Sequence, residues 1–166
     1  YVAADRAIRK FSDQGVVLGQ IQLAGEPGCL AVLTDGTIYV GFKDHVEIYD
    51  AQGQRKGSWD SLGPDAHLTS IAVSDDNVFV ADAGNRVVVR YDASGNLVGY
   101  IGKKDSSRNV PGFVIPSPYF DLAVSQDGLL RVVNPGRRRI EAYTFDGDIE
   151  FWWGSGSVAI DGFCGC

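Results

Sequence analysis

An aromatic residue followed four positions later by glycine recurs along the chain, and this pairing constrains the fold more than any other feature. The pairs are Phe11 and Gly15, Tyr49 and Gly53, Tyr91 and Gly95, and Tyr143 and Gly147. Each pair lies in an apolar segment interrupted by turn residues, as in "RYDASGNL". Glycine permits the positive φ that short hairpin turns require. A second marker, Ala-Val, precedes three of the pairs at Ala31, Ala72 and Ala123. The chain is therefore a repeat of one hairpin-containing unit.

Each complete unit contains four short strands. In the third unit they are "TSIAV", "VFVAD", "RVVVRY" and "LVGYIG", all rich in β-branched or aromatic residues and bounded by turn residues. The first unit lacks the Ala-Val strand and has three. The intervals between aromatic markers are close to the ~40–50 residues of one propeller blade. The pattern predicts an all-β fold with 15 strands: an incomplete β-propeller ring of about four antiparallel blades.

The repeat also predicts the organisation of the chain. We expect a single propeller segment with units at about 1–25, 26–63, 64–102 and 118–154. An inter-blade insertion occupies 103–117, and a loop leading to a further blade occupies 155–166. The insertion contains prolines typical of a surface loop, but also apolar residues, so we expect it to fold over the neighbouring blade.

Composition limits the classes of function. The chain has 166 residues, of which 45% are hydrophobic, so one domain can bury a sizeable core. No apolar run approaches the ~18 residues of a membrane-spanning helix, which predicts no membrane insertion. A net charge of −6 opposes broad attraction to nucleic acid. The chain lacks methionine and opens within an apolar run, so we expect a segment of a longer product, and its sequence assigns no compartment.

The stretch "VFVADAGNRVVVRYDASGNLVGYIG" resembles an NHL repeat. The matching positions are Asp82, Asn85, Val88, Tyr91, Gly95 and Gly102. In the fourth unit Asn134 stands for the Asp and Arg137 for the Asn, and the first two units match less closely, with Gln22 and Asp60 in place of the final glycine. The resemblance implies a β-propeller, normally of six blades around a central channel, of which this chain supplies about four.

Five residues are predicted to stabilise turns. Asp82 and Asn85 bracket a two-residue turn and can accept backbone N–H bonds, while Gly84 removes a steric penalty. Gly95 and Gly147 supply the positive φ of their hairpins. These roles are structural rather than ligand-binding.

The residues just before each innermost strand are candidates for ligand contact, because that strand lines the channel of a propeller. Cys29, Ser70 and Asp121 each lie two positions before the shared Ala, and His67 lies near the same mouth. A His, an Asp and thiolates are possible metal ligands, with Cys164 and Cys166 further along. Their spacing matches no zinc motif, so we predict no bound metal or cofactor. A metal site or a channel disulfide stays as the alternative.

Two further segments favour structural roles. Arg137 to Arg139 lie on a turn and are expected to form a solvated hairpin tip. Trp152 and Trp153 lie on the last strand, where alternation sends the rings to opposite faces, and one is expected to pack between blades.

Two classes of function remain. The first is a non-catalytic scaffold that contacts a protein, peptide or glycan through loops at the channel mouth. The second is a propeller enzyme of the metal-dependent lactonase, hydrolase or lyase type. Only two histidines, His45 and His67, are present and no Gly-x-Ser-x-Gly motif occurs, so we expect the scaffold and no catalytic residues.

The open ends of the segment predict self-association. A complete propeller covers its outermost blade faces by closing into a ring. This chain is expected to expose an apolar blade face at each end, together with an unpaired edge at Tyr1 and Val2.

Overall fold

The structure is a computed structural model that describes residues 1–157. Residues 158–166, which include Cys164, Cys166 and most of the predicted connecting loop, lie outside the described residues. Within residues 1–157, fifteen strands form four antiparallel sheets, here called blades 1 to 4. This confirms the predicted all-β, partial propeller.

The strands follow one another in chain order within each blade. Blade 1 contains β1 (Val2–Ala4), β2 (Ala7–Phe11) and β3 (Val17–Gln22). Blade 2 contains β4 (Cys29–Val32), β5 (Ile38–Gly41), β6 (Val46–Tyr49) and β7 (Arg55–Ser58). Blade 3 contains β8 (Leu68–Ser74), β9 (Asn77–Asp82), β10 (Val87–Asp92) and β11 (Leu97–Ile101). Blade 4 contains β12 (Leu122–Val124), β13 (Leu130–Asn134), β14 (Arg139–Tyr143) and β15 (Ile149–Trp153).

Every blade is a meander in which each strand pairs with the next one in sequence. The first strands of blades 2, 3 and 4, which are β4, β8 and β12, lie next to one another. We call them the inner strands. The only helix among residues 1–157 is a short 3-10 turn, Pro135–Arg137, and no helix there is long and apolar enough to cross a membrane.

The aromatic-to-glycine spacing marks the hairpin between the last two strands of each blade. In blade 3, the Asp92 carboxylate accepts backbone N–H bonds from Ser94 at 2.9 Å and Asn96 at 2.8 Å. Gly95 follows with φ +87°, and the strand register shifts by a bulge next to Tyr91. Aspartate and glycine at these positions therefore produce the turn that the sequence predicts.

The core lies between the blades. One apolar cluster joins blades 1 and 2 around Ile38 and Val40, and a second joins blades 2 and 3 around Val80 and Val89. The largest joins blades 3 and 4 around Phe79. Alternate residues of each strand face opposite sides of the blade. Blades 2 and 3, which have a neighbouring blade on each side, therefore bury both faces.

A single contact recurs at each of these interfaces. The turn glycine of one blade packs against a residue at the end of the last strand of the preceding blade. A Cβ on Gly53 would lie 2.7 Å from Ile21, and one on Gly95 would lie 2.1 Å from the Trp59 indole nitrogen. A Cβ on Gly147 would lie 3.6 Å from Ile101. At Gly53 and Gly95 the missing side chain thus allows neighbouring blades to approach closely, whereas at Gly147 a Cβ would make an ordinary van der Waals contact. We call this the turn-glycine contact.

The insertion folds over the blades, as its apolar residues predict. Val110 and Phe113 are buried, and the Phe113 ring lies 5.0 Å from Phe120 and 5.7 Å from Tyr143. Its hairpin is closed by hydrogen bonds between Asp105 and Val110. The insertion therefore contributes to the core between blades 3 and 4.

Two expectations for blade 4 are wrong in detail. Arg139 is not part of a solvated hairpin tip, because its guanidinium lies 2.6 Å from the buried carboxylate of Glu141. Neither Trp152 nor Trp153 is buried between blades, since they are 55% and 42% exposed. They do lie on opposite faces: Arg139 stacks on Trp152, and Arg131 stacks on Trp153.

Candidate functional site

The inner strands bring together Cys29, Ser70 and Asp121. Cys29 begins β4, Ser70 lies in β8, and Asp121 immediately precedes β12. Because neighbouring blades repeat one structure, equivalent positions of their inner strands lie at the same depth. The Ser70 hydroxyl donates a hydrogen bond of 2.5 Å to the Asp121 carboxylate. We call these three residues the channel cluster.

Asp121 presents an oriented carboxylate at the surface. Its Oδ1 atom accepts hydrogen bonds from the Ser70 hydroxyl and, at 2.9 Å, from the backbone N–H of Leu122. The adjoining chain is fixed by a hydrogen bond from the Thr69 hydroxyl to the Phe120 carbonyl. The residue is exposed, and its Oδ2 atom has no hydrogen-bond partner among residues 1–157. One oxygen thus holds the carboxylate in place while the other is open to solvent.

Cys29 is a protonated thiol at neutral pH. Burial raises its pKa to about 12, the Gly41 backbone N–H acts in the opposite direction, and the negative charge of Asp121 raises it further. The Cys29 sulfur packs closely against the neighbouring strand β5, since a Cβ on Gly41 would lie 2.4 Å from it. A thiol in this state is neither a good nucleophile nor a ready metal ligand.

His67 does not join the channel cluster. Its backbone N–H donates to Asp82 at 2.9 Å, which fixes the main chain, but its imidazole is exposed and forms no hydrogen bond, ion pair or ring contact within the described part of the chain. Within residues 1–157, no group of three His, Cys, Asp or Glu side chains is arranged to hold a metal ion.

Asp82, Gly84 and Asn85 form a compact turn between β9 and β10. Asp82 is fully buried, and its Oδ1 atom accepts backbone N–H bonds from Gly84 and Asn85, each at 3.1 Å. Gly84 does not have a positive φ. Its small size is needed because a Cβ would lie 1.8 Å from the Asp65 carbonyl oxygen. The turn is thereby tied to the connection that leads into β8.

A buried polar motif that the sequence pattern does not predict lies in the third strands of blades 2 and 4. Glu47 is 6% exposed and accepts hydrogen bonds from the Tyr49 hydroxyl at 2.6 Å and from Arg55 at 2.7 Å. Burial, and then the Glu47 carboxylate, raise the Tyr49 pKa to about 12. The signal was present as Glu-x-Tyr at the aromatic marker, but acidic residues in strands are usually exposed.

The same motif occurs in blade 4 with more partners. Glu141 is fully buried and accepts from the Tyr143 hydroxyl at 2.7 Å, from Arg139 at 2.6 Å and from the Asn134 amide at 3.1 Å. Burial, and secondly the hydrogen bond to Glu141, raise the pKa of Tyr143. The Asn134 side chain also accepts the backbone N–H of Val114, so the motif connects the blade to the insertion.

Comparison with known proteins identifies the fold. No family model matches the sequence, and no curated protein matches it. A streptogramin B lyase structure superposes with a TM-score of 0.69 at 16% identity, covering 94% of this chain and 50% of that one. A catalytically inactive virginiamycin B lyase variant from Staphylococcus aureus, solved with quinupristin, gives a TM-score of 0.66 at 15% identity, covering 89% and 48%.

A protein of unknown function from Bacteroides caccae superposes with a TM-score of 0.62 at 12% identity, covering 90% of this chain and 54% of that one. The chain thus spans about half the length of these structures. At such identities the likeness concerns the fold alone. What the strands, the blades and the comparisons together show is an all-β chain that forms part of a β-propeller.

Proposed function

We propose that this chain is a binding module in which NHL-type propeller blades hold a ligand at the channel mouth. The observation that carries the proposal is the oriented, exposed carboxylate of Asp121 beside Ser70. Rigid blades hold such a group in place before a ligand binds, which lowers the entropic cost of binding.

The chemistry of the channel cluster favours a cationic group on the ligand. Asp121 offers a carboxylate with one open oxygen, whereas Cys29, whose pKa the Asp121 charge helps to raise, supplies an uncharged thiol. Carboxylates form their strongest hydrogen bonds with ammonium and guanidinium groups. A protein or peptide that presents Lys, Arg or an N-terminal amine satisfies this requirement, and glycan hydroxyls satisfy it more weakly.

Arrays of basic peptides, acidic peptides and glycans, probed with the full chain, test the proposal. We expect basic peptides to bind, and Asp121→Asn to weaken binding at least about tenfold through loss of the charge. Asp76→Asn is the matched control, because Asp76 is an exposed acid in the β8–β9 turn at the opposite end of the inner strand. Binding of glycans alone would change the ligand class. Binding that Asp121→Asn leaves intact would refute the site.

The enzyme alternative predicts a different result. The solved neighbours include streptogramin-type lyases, one of them bound to quinupristin. Since the likeness shows only the fold, we expect this chain to leave quinupristin unchanged. Turnover that is lost on His67→Ala would favour a lyase, because His67 is exposed and directly precedes the inner strand β8.

A further inference from the structure

A cavity of about 440 Å³ lies where the insertion meets blades 3 and 4. Its lining combines Tyr100 of β11, part of the insertion between Lys103 and Val110, and Gly147, the turn glycine of blade 4. We call it the insertion cavity. Its volume lies within the roughly 300–1,000 Å³ of sites for small organic molecules, and it shares no residue with the channel cluster.

The wall of the insertion cavity is held in place by contacts within the protein. Val110 is buried, and it exchanges two backbone hydrogen bonds of 2.9 Å with Asp105, which close the insertion hairpin. Arg108 ties this hairpin to blade 4, because its Nε and Nη2 atoms donate to Asp148 at 2.8 and 2.6 Å. The cavity is therefore shaped before a ligand enters it, which lowers the entropic cost of binding.

Positive charge predominates in the insertion cavity, although the whole chain has a net charge of −6. Among residues 1–157, the lining has three cations, Lys103, Lys104 and Arg108, and one carboxylate, that of Asp105. Arg108 is already paired with blade 4, but neither lysine forms an ion pair with any residue of 1–157. The Lys103 ammonium lies 5.3 Å from the centroid of the Tyr100 ring. Cations gathered in a cleft attract anions.

The insertion cavity also offers hydrogen-bond donors that have no acceptor among residues 1–157. These are the Ser106 hydroxyl and the Nη1 atom of Arg108, which lies 3.8 Å from the position of a Cβ on Gly147. The carboxylate of Asp105 is engaged by the turn of the insertion itself, where its Oδ1 atom accepts the Ser107 hydroxyl at 2.6 Å and the Ser107 backbone N–H at 2.9 Å. The cavity thus presents donors and positive charge, which an oxyanion requires.

The chemistry of these groups favours a phosphate or sulfate ester over a carboxylate. Such an ester has three free oxygens, which can accept hydrogen bonds from two lysines and a hydroxyl, whereas a carboxylate has two oxygens. Lysine is a common ligand of phosphate because its ammonium is a compact charge with three donors. The volume of the cavity also leaves room for an organic body attached to the ester, which an inorganic ion lacks.

We propose that the insertion cavity binds a small organic molecule that carries a phosphate or sulfate ester. Lys103 and Lys104 offset the charge of the ester, and the Ser106 hydroxyl and the Arg108 Nη1 atom donate hydrogen bonds to its oxygens. This site differs from the proposed channel-mouth site in place and in charge, since Asp121 there favours a cationic group. The propeller thus has one site for a cationic group and another for an anionic ligand.

Isothermal titration calorimetry of the 166-residue chain with a matched series of ligands tests this proposal. The series is phenyl phosphate, phenyl sulfate, benzoate and phenol, together with inorganic phosphate. We expect both esters to bind, the phosphate ester more tightly because it carries close to two charges at about pH 7, and added salt to weaken both. If one ester alone binds, that ester is the ligand class. Benzoate or phenol binding as tightly as the esters, or inorganic phosphate binding as tightly as phenyl phosphate, would overturn the proposal.

Two double variants separate the insertion cavity from the general charge of the chain. Lys103→Gln with Lys104→Gln should raise the dissociation constant for phenyl phosphate at least about tenfold, because both unpaired cations are removed. Lys43→Gln with Lys56→Gln is the matched control, since it removes the same charge from two exposed positions of blade 2. Circular dichroism checks that each variant is folded. Binding of neither ester at millimolar concentration, or equal weakening by the two double variants, would also overturn the proposal.

Discussion

Gly95 meets two demands that only glycine satisfies. Its φ of +87° closes the hairpin, and its bare Cα leaves room for the Trp59 indole of the preceding blade. Gly15 occupies the same turn position with φ +79°, but a Cβ on it would meet no atom of residues 1–157 within 4 Å. The two glycines therefore separate the cost of backbone strain from the cost of a steric clash.

Gly95→Ala is expected to destabilise the chain more than Gly15→Ala. Both substitutions incur about 1–2 kcal/mol for the left-handed backbone. Only Gly95→Ala adds the displacement of Trp59, worth roughly 1–3 kcal/mol more. Urea unfolding of the two variants at the same protein concentration measures the difference. Equal losses would mean that the blades do not rely on this close approach.

At the level of elements, the third strands differ in what they bury beside the marker tyrosine. Glu47 and Glu141 accept the hydroxyl of Tyr49 and Tyr143 respectively. In blade 3, Val89 takes the place of the glutamate, and Tyr91 donates no side-chain hydrogen bond to any residue in 1–157. The blades thus offer an internal comparison of one position with and without the buried carboxylate.

Tyr143→Phe should cost about 1–3 kcal/mol, since it leaves a buried carboxylate oxygen without its donor. Tyr91→Phe should change the unfolding free energy by less than about 0.5 kcal/mol, because no buried partner loses a bond. Thermal or urea unfolding of the two variants supplies the measurement. A large loss for Tyr91→Phe would show that the hydroxyl itself, and not Glu141, sets the cost.

The sequence predicts strands well because their signals are local. Phe11 with Gly15, and Tyr91 with Gly95, each mark a hairpin through residues that the turn itself requires. The contact between Ser70 and Asp121 can be predicted, because equivalent positions of adjacent blades lie at the same depth. The burial of Glu141 cannot be predicted from the strand pattern, because it depends on hydrogen bonds from the side chains of Asn134 and Arg139. Nor does a one-dimensional repeat say which way the His67 imidazole points.

At the scale of the whole molecule, turn aspartates make stability depend on acid. Hydrogen bonds from Ser125 and Arg131 lower the pKa of Asp127 to about 2. Hydrogen bonds likewise hold the pKa of other aspartates below the ordinary value: Asp35, Asp44, Asp50, Asp92 and Asp105. Because the folded chain binds these protons less tightly than the unfolded chain, acid shifts the balance towards unfolding.

The urea midpoint is therefore expected to fall as pH drops from about 4, the ordinary aspartate pKa, towards 2. Above about pH 5 these groups contribute their full stabilisation. Asp127→Asn should make the decline shallower, since the amide keeps an acceptor for the turn and does not titrate. An unchanged midpoint between pH 4 and 2.5 would contradict this account.

The pairing of every strand with its neighbour in sequence has a kinetic consequence. Pairing between strands that are adjacent in sequence requires less loop closure than pairing between distant strands, which favours faster folding. Within the described residues, no sheet waits for a strand from a distant part of the chain. Blade 3 contains the longest described strand, β8 of 7 residues, and two strands of 6 residues, β9 and β10. Once such a meander has formed, each adjoining blade can condense on it in turn, as repeats do in a linear array.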